Sequence, residues 1–367
     1  MIRVWSYLEE YQKEKKEIQK AISSVLDSGQ LILGPNVSAF EEEFSEWVGG
    51  KYSVGVANGT DAIFLALKAL DIGEGDQVIT VSNTAVPTVS AITAAGAEPV
   101  FVDIDPETYL MNVDQVKARI NKKTKAVIAV HLYGQAVDMD ELKKTTKEKG
   151  IYIIEDCAQS HGAIYKKRMT GSIGDISAFS FYPTKILGTY GDGGLCMTNS
   201  AKIRDKLKRL RFYWMKKTYY SLEQGFNSRL DELHAAILRI KLKKLNTYVN
   251  KRQKIAKYYS KKLADTAYIT PKIAKNNVHA FYVYVVRHPQ RDKVMKMLAE
   301  NDIFVNISYP YPIHTMSGMK TLTKKYSLPH TDKAAAEIFS LPMYPSLTRK
   351  EQDFVIKILR DIDQKLR

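Results

Sequence analysis

From about residue 50 the chain alternates short, almost wholly apolar runs with longer amphipathic stretches. "YSVGVAN" leads into "GTDAIFLALKAL", "DQVITV" into "AVPTVSAITAAG", "EPVFVDI" into "NVDQVKARIN" and "KAVIAVHLYG" into "DMDELKKTTKEKG"; "IYIIEDCA" closes the series. Apolar runs without polar alternation are strands buried on both faces, and the helical stretches between them supply the covering layers. "DISAFSFY" and "GGLCMTN" read as two further strands around a glycine loop. The pattern predicts an α/β fold, a mostly parallel sheet sandwiched by helices, in a large domain over residues 1–245.

"RLDELHAAILRIKLKKLNTYVNKRQKIAKYYSKKL", residues 229–263, reads as one long helix that breaks near Asp265. After it come an apolar run at "AFYVYVVRH", a helix at "RDKVMKMLAEN", a run at "IFVNISYPYP" and a last helix at "RKEQDFVIKILRDIDQKL". This predicts a smaller C-terminal α+β domain over 246–367, with the long helix as connector. A length of 367 residues agrees with two domains, being too great for one compact core. The stretch 313–335, with His314 and His330, is loop-like and gives no readable pattern.

Composition changes this picture little. The two cysteines, Cys157 and Cys196, lie in apolar runs and form neither a disulfide framework nor a metal cluster. No stretch approaches the roughly 20 apolar residues that span a membrane. The N-terminal "MIRVWSYLEEYQKEKKEIQK" is too charged for a signal peptide, so a cytoplasmic protein is expected. A net charge of +15 could serve nucleic acid, an anionic membrane surface or an acidic small substrate. The excess sits in helical runs such as "IRDKLKRLRFYWMKK", at the spacing of solvated helix faces, and no nucleic-acid-binding module is visible. Neither nucleic acid nor a membrane is an expected partner.

Candidate chemistry collects at strand ends and helix starts, where open α/β sheets place ligands. In "VANGTDAIFLAL" a strand runs through Asn58-Gly59-Thr60-Asp61 straight into a helix; its free N–H groups suit a phosphate, or simply a cap. In "IYIIEDCAQSHG" Asp156 ends a very apolar strand, so its carboxylate needs a partner. A catalytic acid, a metal ligand and the partner of a cationic ring nitrogen are all open for it. In "SFYPTKILGTYGDGG" a lone Lys185 lies among aromatic residues and glycines. In a dry pocket it is a nucleophilic amine able to form a Schiff base. Pyridoxal phosphate requires this set: a lysine for its aldehyde, an acid for its ring nitrogen and a helix N-terminus for its phosphate. In "GFNSRLDELHAAIL", Asn227 and Ser228 precede a helix and Arg229 and Asp231 could pair within its first turn.

"EDCAQSHGA", "GSIGDISAFSFYPTKILGTYGDGGL" and "FNSRLDELHAAIL" resemble the DegT/DnrJ/EryC1/StrS family of sugar aminotransferases, from "GPNVSAFEEEFSEWVG" through "SYPYPIH". The resemblance implies a fold-type-I pyridoxal-phosphate enzyme, cycling through pyridoxamine phosphate, that acts as a homodimer with shared active sites. It implies a nucleotide-linked keto-sugar as substrate and L-glutamate as donor. Carried over by motif, Lys185 would be the Schiff-base lysine and proton carrier, Asp156 the partner of the pyridinium nitrogen, and Gln159 a neighbour of the ring. Gly59, Thr60 and Ser180 would hold the phosphate, with Asn227 reaching it from the other subunit. Tyr182, Ser308, Tyr309 and His314 would face the sugar, and no metal is implied. The chain departs from the family at Ala85, where an aromatic often stacks on the ring, at Ile186, where Asn is common, and at Ser308, where "HYP" is common. "NTAVPT" and "FYPTK" look most like enzymes that aminate C3 of dTDP-3-keto-6-deoxyhexoses; C4 amination is the alternative.

Lys185 argues against a dehydratase on the same scaffold, which replaces this lysine with His. A DNA-binding regulator would need a groove-reading element and salt-dependent binding. An enzyme acting on amino acids would show an arginine in the small domain clamping a carboxylate, and no candidate stands out.

Overall fold

A computed structural model, describing residues 1–217, 219–319 and 326–366, pairs the apolar runs into one seven-stranded sheet. Its strands are Tyr52–Val56 (β1), Gln77–Val81 (β2), Glu98–Val102 (β3), Thr124–Val130 (β4), Tyr152–Asp156 (β5), Ile176–Ser180 (β6) and Gly194–Thr198 (β7). Across the sheet they run β1-β7-β6-β5-β4-β2-β3. Strand β7 is antiparallel to both neighbours and every other pairing is parallel. Both faces are covered, which is why the strands read as continuous apolar runs. Along β7, Leu195 and Met197 enter one core cluster while Cys196 enters another.

The helices that position the site are Leu8–Ser28 (α1), Pro35–Val48 (α2), Gly59–Ala69 (α3), Val86–Ala94 (α4), Glu232–Leu242 (α5), Leu245–Lys262 (α6) and Arg349–Leu366 (α7). Pro35 opens α2, where a missing N–H costs nothing. The buried Glu232 carboxylate accepts the N–H groups of Asn36 and Val37 at 2.9 and 2.8 Å, an anion on the positive end of α2.

The continuous helical pattern over 229–263 is realised as two helices, not one. Between α5 and α6 the Lys244 N–H reaches Lys241 O at 3.0 Å in a tight turn. The reason is packing: α5 lies against α1 and α2, whereas α6 lies against α7. Leu242 and Leu245 stay buried on either side of the break. Lys251, Lys254 and Lys257 of α6 are exposed, as expected of a solvated face, but Arg252 is 3% exposed.

The C-terminal core gathers Ala256 and Tyr259 of α6, Tyr284, Phe339, and Val355 and Leu359 of α7, together with Ile2. Ile2–Arg3 pairs in parallel with Ile303–Phe304, and Tyr284–Arg287 pairs antiparallel with Ile338–Leu341. "IFVNISYPYP" is strand only over Ile303–Phe304. Beyond it Pro310 and Pro312 lack the N–H a ladder needs, and Tyr309 adopts a left-handed φ of 67°. The 313–335 stretch resolves into a short turn at Ile313–Thr315 and a helix at Pro329–Glu337; residues 320–325 lie outside the described ones.

Candidate active site

Strands β1, β5 and β6 deliver their last residues to the same edge of the sheet as the start of α3. There the Asn58 side chain accepts the Asp61 N–H at 2.8 Å and the Asn58 carbonyl accepts the Ala62 N–H at 3.0 Å. This leaves the Gly59 and Thr60 N–H groups without an acceptor among the described residues. Ser180, last in β6, is packed against this helix start. A side chain at Gly59 would place its Cβ 2.7 Å from Ser180 Cβ, so only glycine leaves the N–H groups open beside the hydroxyl.

Asp156, last in β5, is 5% exposed. Its Oδ2 accepts from the Thr88 hydroxyl at 2.9 Å and its Oδ1 from the Ala158 N–H at 3.1 Å. Burial pushes its carboxyl above the ordinary range, and these donors, then the nearby charge of Lys185, pull it back. A buried carboxylate held only by neutral donors is a ready partner for a cationic group.

Lys185 follows in a tight turn after β6. Its N–H donates to Tyr182 O at 2.8 Å, and a Cβ at Gly188 would lie 2.6 Å from Pro183 O and 2.8 Å from Tyr182 O. Glycine is therefore required for the turn to close under the lysine. The ammonium of half-buried Lys241 donates to Gly188 O at 2.7 Å, fixing the turn from below. Lys185 itself is half-buried, and its ammonium makes no hydrogen bond or ion pair among the described residues. Its contact is the face of Tyr282, 4.8 Å from ring centroid to Nζ. His161 lies close by between Phe179 and Phe181. Burial, then the charge of Lys185, lowers its pKa to about 3, so the ring is neutral.

Gln159 is 5% exposed and its amide is oriented by two partners. Its Oε1 accepts the Tyr133 N–H at 2.8 Å, and its Nε2 donates to the Tyr309 hydroxyl. Burial keeps Tyr309 protonated, its pKa well above the usual phenol range. Tyr133 holds a left-handed φ of 59°; its hydroxyl and the Asn83 amide nitrogen lie buried within reach of each other, and neither makes a well-formed hydrogen bond among the described residues.

Other predicted residues lie further out. Tyr182 is 52% exposed, although its carbonyl closes the lysine turn. Ser308 shares a hydrogen bond with Ser340 at 3.2 Å. His314 has both ring nitrogens engaged, with Ser82 Oγ at 2.7 Å and Asp332 Oδ1 at 3.3 Å, and so braces the end of β2 against the helix Pro329–Glu337. Asn227 is exposed beside Ser228, whose hydroxyl donates to Asp61 at 2.7 Å and accepts the Ala57 N–H at 3.1 Å. Ile186 is 6% exposed and packs within the core. Ala85 caps α4 and is half-buried.

Sequence reading missed Thr88, Tyr133, Asn83 and Tyr282. Thr88 stood within a quoted motif, but only the fold sets it against Asp156. Tyr282 comes from a segment read as plain strand and carried no signal. Also missed was Glu155, whose oxygens accept from His131 Nε2 at 2.9 Å and from the N–H groups of Gly171, Ile173 and Gly174. Glu155, His131 and Cys157 form a compact buried trio, but hydrogen bonds already engage Glu155 and both nitrogens of His131.

Comparison with known proteins matches residues 12–360 to the DegT/DnrJ/EryC1/StrS aminotransferase family. The chain belongs to this family. The aminotransferase is 50% identical to a dTDP-3-amino-3,4,6-trideoxy-alpha-D-glucose transaminase of Micromonospora megalomicea subsp. nigra, over 98% of each chain. It is 42% identical to a dTDP-3-amino-3,6-dideoxy-alpha-D-galactopyranose transaminase of Aneurinibacillus thermoaerophilus, over 94% of each. Its fold superposes on DesV of S. venezuelae, solved with a ketimine intermediate, with a TM-score of 0.97 at 36% identity, covering 99% of this chain and 98% of that one. The fold-type-I expectation therefore holds for this aminotransferase: a mostly parallel sheet between helices, matched along nearly its whole length.

Proposed function

We propose that this chain is a pyridoxal-phosphate-dependent aminotransferase that converts a dTDP-linked 3-keto-6-deoxyhexose to the 3-amino sugar, with L-glutamate as donor. The carrying observation is the convergence of three groups at one sheet edge: the unpaired ammonium of Lys185, the buried Asp156 carboxylate and the open N–H groups of Gly59 and Thr60. The residues fit the cofactor, since each of its polar ends meets a group that lacks a partner of matching charge.

When bound, the cofactor supplies an aldehyde that takes up the amino group and a ring that withdraws electrons from the reacting carbon. Lys185 would hold the aldehyde end at rest and, once the donor's amine has displaced it, its freed Nζ would take the proton from the α-carbon of the donor. Asp156 holds the ring nitrogen protonated. The Gly59 and Thr60 N–H groups and the Ser180 hydroxyl bind the phosphate at the positive end of α3. The second N–H of Gln159 Nε2 is left for the phenolic oxygen. Asn227 reaches the phosphate of a second copy, in a cytoplasmic homodimer, and Tyr182, Ser308, Tyr309 and His314 build or brace the sugar-facing wall.

Amination at C3 rather than C4 is supported by the 3-amino products named for the two transaminase relatives, which differ from each other at C4 of the sugar. The test is NMR of the product formed from dTDP-linked 3-keto- and 4-keto-6-deoxyglucose and from the 3-keto-4,6-dideoxy sugar, each with glutamate and pyridoxal phosphate. The expected result is an amine at C3. An amine at C4 replaces this reading with the alternative regiochemistry, and no amine from any sugar overturns it.

A further inference from the structure

The released ammonium of a Schiff-base lysine has to be kept near its target, and among the described residues that of Lys185 forms no ion pair with a carboxylate, although Asp156 is close enough to feel its charge; its surroundings offer another hold. They contain the face of Tyr282 at 4.8 Å. The position of that ring is heavily determined. Its hydroxyl shares a hydrogen bond with Thr184, the residue before the lysine, at 3.1 Å. Its backbone N–H donates to Tyr133 O at 3.0 Å, beside the Tyr133–Gln159 bond. Gly134 allows this approach, because a Cβ there would lie 2.9 Å from Phe281 N and 3.0 Å from Tyr282 N. Phe281 accepts a left-handed φ of 52° to make the corner. From behind, Arg252 of α6, 3% exposed, donates one guanidinium nitrogen to the carbonyls of Phe281, Tyr282 and Met343 at 3.3, 3.1 and 2.9 Å. A buried arginine spent on main-chain carbonyls is costly to desolvate, and this one fixes the segment that carries the ring.

We propose that Tyr282 is a positioning residue for Lys185, its ring face holding the ammonium in place whenever the lysine is not bonded. An aromatic face attracts a cation without offering it an acceptor, so the amine is held yet free to leave when it gives up its proton. Without the ring, the long flexible stem has many rotamers open to it and the amine spends less time aimed at the site.

This inference rests on Lys185 being the residue that takes the cofactor aldehyde, and the experiment separates the two claims. Pyridoxal phosphate is added to the full-length apo-protein, and the absorbance change is followed as the Lys185 amine condenses with the aldehyde, one water leaving. Wild type, Tyr282→Phe, Tyr282→Leu, Tyr282→Met and Lys185→Ala are compared, with the affinity of each for pyridoxamine phosphate, which needs no bond to the lysine. The expected result is a roughly ten-fold slower rise in the Leu and Met variants, a rate within about two-fold of wild type for Phe, and pyridoxamine phosphate affinity unchanged in all. A wild-type rate in the Leu or Met variant overturns the proposal, as does a Phe variant as slow as Leu. A parallel loss of pyridoxamine phosphate affinity also overturns it, since it would assign Tyr282 to general packing. An unchanged rise in Lys185→Ala instead overturns the assignment of the lysine.

Discussion

Asp156 shows how one strand position acquires a chemical task. Among the described residues a threonine hydroxyl and one backbone N–H are the hydrogen-bond donors to this carboxylate at the end of β5, and with the nearby charge of Lys185 they do not offset its burial, so its charged form gains from a cation placed against it. A protonated ring nitrogen would complete it. Asp156→Asn is isosteric, keeps the contact with Thr88 and removes the charge. It is expected to leave pyridoxal phosphate bound, seen in its visible absorbance, while the transamination rate falls about 10²–10³-fold. Wild-type turnover would remove Asp156 from this role. Asp156 and Lys185 stood out in the sequence because each is a polar residue in apolar company. Thr88 and Tyr282 did not, because a threonine in a helix and a tyrosine in a strand are ordinary until something is folded against them.

At the level of elements, the turn carrying Lys185 depends on one glycine. The predicted Cβ clashes at Gly188 are with backbone carbonyls of Tyr182 and Pro183, which cannot swing aside as a side chain could. Gly188→Ala is expected to destabilise the protein by about 1–3 kcal/mol, read as a lower denaturant midpoint, and to slow cofactor capture because Lys185 shifts with the turn. An unchanged midpoint and capture rate would mean that the turn opens without cost. The sequence showed a lysine among glycines without showing which of them the turn needs. It did not reveal that Lys241 of α5 ties down the same turn, since a lysine in a basic run looks solvated. The same ambiguity hid Arg252: "VNKRQKIAKYY" is a run of cations, and only the packing of α6 on the C-terminal core turns one of them inward.

For the whole molecule the open question of arrangement is whether a site is completed by a second copy. Asn227 is exposed, while its neighbour Ser228 is bound to the start of α3 in its own chain. Co-expressing Lys185→Ala with Asn227→Ala distinguishes the two possibilities, each single variant being impaired alone. If Asn227 acts across subunits, a mixed dimer holds one site with both residues intact. Activity should then recover to roughly a quarter of wild type, because about half the dimers are mixed and each has one good site. No recovery above the sum of the single variants would place Asn227 in the site of its own chain.

The sequence by itself determined the sheet and brought forward the candidate site residues. Strands buried on both faces must be apolar throughout, helices between them must be amphipathic, and a lysine, an aspartate and a helix start at strand ends leave few alternatives. Tertiary structure decided everything that depends on residues distant in the chain meeting. It split the long helix so that α5 could pack on α1 and α2 while the later turns of α6 reach the C-terminal core, brought Tyr282 from the C-terminal part onto Lys185, and set Thr88 on Asp156. It also gave His314 a bracing position between Ser82 and Asp332. Periodicity reports which face of an element is buried, but not what it is buried against.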